Sequence, residues 1–244
     1  LLVILAYNLI MKNNIQDKSK LVNSVFSEVY KKYDIMNDIM SLGVHRIWKQ
    51  NMMDWMSPQA NSFLIDVASG TGDIALTFSK KLSHKCKISC VEPNKEMLAM
   101  GQKKLKVYDN ITWYKASAER LPFKDDTFDF YTISFGIRNV SDINQTLEEA
   151  FRVLKSGGRF MCLEFSKVEN PLIDILYKNY SKIIPMIGER IVGSKKPYNY
   201  LVKSIDDFYN QNELTNLIEK NGFQSVKFRN LSNGIAAIHS GWKI

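Results

Sequence analysis

From Asn61 onward, short apolar runs rich in β-branched residues alternate with longer segments whose apolar positions recur at helical spacing. Such alternation predicts an α/β domain, a parallel sheet covered by helices on both faces, because strands buried on both sides read as continuous apolar runs. Phe63-Leu64-Ile65-Asp66-Val67 is the first expected strand and Ile74 to Leu82 its helix. Ile88 to Val91 is the second strand, followed by a helix over Met97 to Leu105. Ile111 to Tyr114 gives a third strand, Phe128 to Ser134 a fourth, and Ile143 to Leu154 the helix after it. Arg159 to Phe165 is a fifth strand behind a Ser156-Gly157-Gly158 turn. The tail differs in kind. Asp207 to Lys220 reads as one helix stopping at Asn221-Gly222, and Val226 to Leu231 and Ile235 to His239 are joined by Ser232-Asn233-Gly234. That turn makes a hairpin, which places the last strand antiparallel to its neighbour at the sheet edge.

The chain has 244 residues, 45% of them hydrophobic, enough for one substantial core but cramped for two. No internal repeat or low-complexity linker divides it, so residues 61–244 read as one domain with an amphipathic insertion at about 171–205, preceded by a helical segment over 11–60. A net charge of +8 fits nucleic acid, an anionic membrane surface or an acidic ligand, and by itself selects none of them. Cys86, Cys90 and Cys162 are too few for a disulfide framework and form no metal-ligand cluster. Reduced, buried thiols in a cytosol-like compartment are expected, and no metal. Leu1 to Ile10 is apolar but spans only about half of the ~20 residues a transmembrane helix needs. Because Met11-Lys12-Asn13-Asn14 reads as an ordinary start, 1–10 is expected to be an upstream extension with no structural role, the alternatives being a targeting remnant or a membrane-touching stretch.

The sharpest local signal is Asp66-Val67-Ala68-Ser69-Gly70-Thr71-Gly72-Asp73, where the first strand hands over to the first helix. Open parallel sheets bind ligands at the carboxyl ends of their strands, and Gly70 and Gly72 let backbone come close to a ligand. A ligand-free turn or a dinucleotide fingerprint are the competing readings, the second weakened by the missing third glycine. A Walker loop is excluded, since no Gly-Lys-Ser/Thr follows. About twenty residues on, Glu92 ends the second strand, where a carboxylate can accept both ribose hydroxyls of a nucleoside. Ala116-Ser117-Ala118-Glu119 follows the third strand and can read an adenine edge. Ser134 closes the fourth strand, and Phe135-Gly136-Ile137-Arg138-Asn139 continues past it.

Two stretches are more specific. Tyr33-Asp34-Ile35-Met36-Asn37-Asp38-Ile39-Met40-Ser41-Leu42-Gly43-Val44-His45-Arg46-Ile47-Trp48-Lys49 and Arg152-Val153-Leu154-Lys155-Ser156-Gly157-Gly158-Arg159-Phe160-Met161-Cys162-Leu163-Glu164-Phe165-Ser166 resemble the paired signatures of the ubiquinone/menaquinone biosynthesis C-methyltransferase family. The similarity runs from about Lys20 to Lys243. Glu92 stands where Asp is commoner and Ser156 where Pro is commoner. The resemblance implies a Rossmann-like class I methyltransferase whose seven-stranded, mostly parallel sheet has an antiparallel last strand and helices on both faces. It implies S-adenosylmethionine as cofactor, contacted by Thr71, Glu92, Ser117, Ala118 and Ser134, and Asp66, Gly70 and Gly72 of the same stretch as Thr71 are further candidate cofactor-binding residues. The substrate it implies is a polyprenylated quinol, 2-methoxy-6-polyprenyl-1,4-benzoquinol or demethylmenaquinol or both, methylated on a ring carbon. Chemistry separately demands the reduced ring, since a quinol oxygen pushes electron density onto the adjacent carbon and a quinone does not.

Arg138 and Asn139 are the candidates for stabilising a developing phenolate, the alternative for Arg138 being a loop salt bridge. His45 is a candidate base by its ordinary pKa, or else is buried or paired with Asp38. Tyr33, Trp48 and Tyr198 offer flat faces for the ring or tail, or serve the core. The 11–60 segment is then a cap over the substrate. From Pro171 to Pro185, Leu172, Leu176, Tyr180, Ile183 and Ile187 fall at helical spacing with Lys178 and Lys182 on other faces. This amphipathic stretch suits a lid or a membrane surface, with a dimer face or core helix as the alternative. A cytoplasmic protein is expected, touching the inner face of the membrane or a quinone-synthesis complex, with a homodimer allowed. The rival reading, an RNA or protein methyltransferase, lacks an Asn/Asp-Pro-Pro-aromatic sequence after the fourth strand and a proline before Cys162, so no nucleic-acid partner is expected. A non-catalytic scaffold would show a damaged cofactor loop, whereas Asp66 to Asp73 is intact.

Overall fold

The central strands are buried on both faces, and their successive residues pack into opposite cores, which is what fixes a helix layer on each face. In the computed structural model, which describes residues 18, 20–25, 27 and 33–244 (backbone alone at 33, 34, 36, 40, 191 and 192), Leu64 packs into one core and Ile65 into the other. Met161 and Cys162 divide in the same way. The apolar opening at 1–10 and the start at Met11 lie outside the described residues.

In chain order the elements are α1 (Tyr33–Ser41), α2 (His45–Met56), β1 (Phe63–Val67), α3 (Asp73–Lys81), β2 (Lys87–Val91), α4 (Lys95–Lys104) and β3 (Ile111–Tyr114). After these come β4 (Phe128–Ser134), a 3-10 turn at Ile137–Asn139, α5 (Ile143–Val153) and β5 (Leu154–Phe165). The helices α6 (Pro171–Val192), α7 (Lys196–Asp206) and α8 (Gln211–Lys220) lead to β6 (Gln224–Leu231) and β7 (Ala236–Trp242). The sheet order is β3-β2-β1-β4-β5-β7-β6. Neighbours from β3 to β5 pair in parallel, and β7 is antiparallel to both β5 and β6. One core lies under α2, α3, α6 and α7, the other under α5 and α8.

Three expectations need correction. The last strand pairs antiparallel as read, but β7 lies inside the sheet and β6 takes the edge. Burial explains this: β7 is buried at every position except its last, whereas β6 mixes exposed and half-buried residues, as an edge strand does. The Ser156-Gly157-Gly158 turn is an irregularity inside β5, for Phe128 faces Leu154 while Phe130 already faces Arg159. The Gly157 amide donates to the Lys243 carbonyl (2.7 Å), and the Lys243 amide to the Gly158 carbonyl (3.0 Å). Finally, the helix read from Asp207 begins later. Asn210 caps α8 reciprocally with Glu213, so Asp207 to Asn210 is a linker held down by buried Phe208.

Candidate active site

The strand order reverses between β1 and β4, which opens a crevice at their carboxyl ends. Each strand is followed by a non-glycine residue in left-handed backbone, Ala68 (φ 51°) after β1 and Phe135 (φ 55°) after β4. Backbone of this kind is costly and clusters at ligand sites. The two loops meet closely, for a Cβ on Gly136 would stand 2.6 Å from the Ala68 Cβ. Gly72, at φ 83°, adopts backbone that favours glycine, and a Cβ there would crowd Leu105 Cδ1 at 2.6 Å.

Glu92 is buried at the end of β2. Its Oε2 accepts the Gly70 amide and its Oε1 the Asn94 amide, both at 2.9 Å. Burial outweighs these bonds and raises its pKa to about 7. Asn94 caps α4 through its side-chain oxygen and donates its amide to Asn23 Oδ1 (2.9 Å) and Ser27 Oγ (3.0 Å), tying the N-terminal segment across the opening. The resulting cavity, about 120 Å³, is lined by Gly70, Glu92, Ser117, Ala118, Phe135 and Asn139 among others. A second cavity of about 20 Å³ adjoins it through Ala68 and Phe135, and Lys49, Asp66, Thr71, Asp73 and Ser134 line it. Gly72 stands behind Thr71 at the start of α3.

Asp66 is buried, and Thr132 Oγ1 donates to its Oδ1 at 2.7 Å, while Oδ2 has no partner. Desolvation raises its pKa to about 7. Asp73 is clasped by Lys49 Nζ (2.7 Å) and Lys104 Nζ (2.6 Å), and these two ammonium groups overcome its desolvation and hold it well below the usual carboxylate range. Lys104 Nζ also donates to Thr71 Oγ1 at 3.4 Å. The Ser134 hydroxyl is 3.8 Å from Met52 Sδ.

Beyond Ser134, Arg138 is 6% exposed and forms an ion pair with Glu164, which is 1% exposed, at the end of β5. Arg138 Nη1 donates to the Phe135 carbonyl at 2.9 Å, and Nε has no partner. Asn139 Nδ2 donates to the same carbonyl (3.3 Å), and its Oδ1 accepts the Tyr200 hydroxyl (2.9 Å). Trp48, Phe135 and Phe165 fill the space between, with ring centroids 5.0–6.3 Å apart and the Trp48 indole donating to Ser232 Oγ (3.1 Å). His45 lies one turn before Trp48 and Lys49, on the same face of α2. Its Nε2 is 3.0 Å from Asp38 Oδ1, its Nδ1 is buried without a partner, and burial lowers its pKa. Tyr198 lines neither cavity: it is fully buried in the core, its ring on Gly188. The Tyr33 side chain lies outside the described residues.

Lys49, Glu164 and Tyr200, which the fold brings against Asp73 and the candidate residues Arg138 and Asn139, were not singled out by reading the sequence. Lys49 and Glu164 end or nearly end the two signature stretches, but their charge partners, Asp73 and Arg138, are distant in sequence and no spacing rule joins them.

Residues 12–243 match the ubiE/COQ5 methyltransferase family. The chain belongs to this family. Among its relatives, the "Ubiquinone/menaquinone biosynthesis C-methyltransferase UbiE" of Rickettsia bellii (strain RML369-C) is 50% identical over 93% of this chain and 94% of its own length. The protein of the same name from Brucella abortus (strain S19) is 48% identical over 93% of this chain and 87% of its own. The fold is that of a SAM-dependent methyltransferase from Thermotoga maritima, described as a possible histamine N-methyltransferase (TM-score 0.65, 21% identity, 91% of this chain and 100% of that one). It is also that of Haemonchus contortus phosphoethanolamine N-methyltransferase 2 in complex with S-adenosyl-L-methionine (TM-score 0.62, 13% identity, 80% and 52%).

As a member of the ubiE/COQ5 family the chain is a methyltransferase with S-adenosylmethionine as cofactor. The crevice fits that molecule. Asp66 presents an unpartnered buried carboxylate oxygen suited to an ammonium group, and Glu92 retains a free lone pair on each oxygen for two ribose hydroxyls.

Proposed function

We propose that the chain methylates a ring carbon of a polyprenylated quinol in ubiquinone/menaquinone biosynthesis, acting on 2-methoxy-6-polyprenyl-1,4-benzoquinol, demethylmenaquinol or both. The observation that carries this reading is the 48–50% identity, over 93% of the chain, to relatives bearing the name of that activity. Bound S-adenosylmethionine supplies an electrophilic methyl group. Thr71, Glu92, Ser117, Ala118 and Ser134 hold it, together with Asp66 near the end of β1 and Gly70 and Gly72 of the loop after it. The residues of the chain then have two tasks: to keep the acceptor ring electron-rich and to align it, which in favourable cases contributes ~7–11 kcal/mol.

Arg138 meets the first task as a fixed cation, since an arginine cannot act as a base near neutral pH. Its Nη1 is held by Glu164 and the Phe135 carbonyl, which leaves Nε for a quinol oxygen. Asn139, both ends of its amide already engaged, has one amide hydrogen left for the same oxygen or a water. His45, kept neutral by burial, is the candidate base through Nδ1. The ring meets Trp48 and the flanking Phe135 and Phe165, which must part to admit it. Tyr33 remains a candidate for the same wall, while Tyr198 serves the ring only through the packing of α6 on α7.

The prenyl tail and the outer face of α6 suggest work at a membrane surface. Leu172, Ile175, Leu176, Ile183 and Met186 all face solvent there, between Lys178, Lys182 and Arg190. No described helix is long and apolar enough to cross a membrane. The test of the activity is mass spectrometry of quinones from cells lacking the chain. A demethylated intermediate is expected to accumulate and to identify the ring, and a normal quinone profile would overturn the reading.

A further inference from the structure

Lysine is seldom buried without a partner. Lys49 is 9% exposed, on the inner face of α2, and its partner Asp73 has a second cation in Lys104. Asp73 therefore keeps a counter-ion if Lys49 leaves it. The same small cavity contains the opposite requirement, for Asp66 Oδ2 is buried and unpartnered. A spare ammonium facing a cavity that also holds an unpartnered carboxylate oxygen is complementary to a zwitterion, in which one carbon bears both an ammonium and a carboxylate. The cavity is only about 20 Å³ while the Lys49–Asp73 bridge stands across it. Swinging Lys49 away would open the space the amino-acid end of the cofactor needs.

We propose that Lys49 leaves Asp73 to bind the α-carboxylate at the amino-acid end of the cofactor, while Asp66 accepts its ammonium group. This rests on the crevice being the cofactor site. Lys49 follows Trp48 directly and lies one turn after His45, so the residue that grips the donor shares a rigid helix with the acceptor side. Donor binding then sets the position of α2 before the quinol arrives.

Calorimetry with two ligands separates this role from a structural one: S-adenosylhomocysteine, which has the amino-acid end, and 5′-methylthioadenosine, which lacks it. Lys49→Met is expected to weaken S-adenosylhomocysteine by about 10- to 100-fold, the value of a charge-assisted contact, and to leave methylthioadenosine at its parent affinity. The double variant Lys49→Met/Asp73→Asn, which also removes the carboxylate that Lys49 pairs with, is expected to stay weak for S-adenosylhomocysteine alone. Equal loss for both ligands, no loss for either, or recovery in the double variant would overturn the proposal, because Lys49 would then serve only Asp73 or the loop. If the parent chain bound neither ligand, the cofactor reading beneath the proposal would fail instead.

Discussion

Arg138 and Glu164 illustrate how a single pair of residues can be costly for the fold and still be kept. Burying an ion pair this completely contributes little or nothing to stability compared with apolar residues of the same size, because both charges lose their water. Cutting one partner is different. Arg138→Ala would strand the Glu164 carboxylate, at a cost of about 3–5 kcal/mol and a fall in Tm on the order of 10 °C. Loss of activity in that variant alone would therefore say little about chemistry. Arg138→Met together with Glu164→Leu removes both charges and is expected to restore Tm and keep S-adenosylhomocysteine affinity while turnover stays low. Calorimetric melting, ligand titration and a methyl-transfer assay on the same preparation decide it, and recovered turnover would make the pair purely structural. Residue by residue, the loop after β1 that forms the candidate cofactor crevice was legible because strand end, glycines and acid are contiguous or at a known offset. Glu164 and Lys49 were not, since a carboxylate or an ammonium inside a signature stretch looks the same in sequence whether it faces solvent or a buried partner.

At the scale of elements, four of the five parallel strands fall within a residue of the periodic runs that predicted them, and β5 extends further back only because its Gly157-Gly158 irregularity is still paired. The hydrophobic pattern was weakest where tertiary packing overrides local propensity. Helix α6 runs past Pro185 to Val192, against the roughly 3 kcal/mol penalty of an interior proline. Ile184, fully buried, and the close seating of the Tyr198 ring on Gly188 hold it in place. The opposite face of α6 has no such partner among the described residues: Leu172 is 73% exposed and Leu176 69%. Each apolar side chain of that size gains about 1.5–3 kcal/mol on full burial. Leu172→Glu/Leu176→Glu is therefore expected to reduce flotation with anionic vesicles by tenfold or more, on that burial value, while leaving Tm near its parent value. Flotation equal to the parent would remove α6 from the membrane surface.

For the whole molecule, the relevant quantity is the proton balance of a basic chain whose candidate cofactor crevice holds two buried acids. Asp66 and Glu92 both have pKa values near 7, raised by burial from 3.8 and 4.5. The sign follows from linkage. In the free protein the protons they carry add stability fully below the unfolded values near 4, and that stability is lost as pH rises through about 7. A buried His239, held at about 4 by desolvation, acts in the other direction: its contribution is present above 6.5 and lost as pH falls through about 4. A cofactor seated on Asp66 and Glu92, as proposed, would change only the first pair. An ammonium beside Asp66 and ribose hydroxyls on Glu92 favour the ionised carboxylates, as do Lys49 and the Thr132 hydroxyl near Asp66, whereas Asp73 and Glu92 oppose ionisation there. Binding of S-adenosylhomocysteine should therefore expel protons at pH 6 and almost none at pH 8, and its affinity should rise across that interval by up to about tenfold per pH unit for each linked group. Titrations in two buffers of different ionisation enthalpy measure the protons directly, and the Tm gained at fixed ligand concentration should grow in step with the affinity. An affinity flat from pH 6 to pH 8, with no protons released, would mean that neither carboxyl meets the ligand in its charged form.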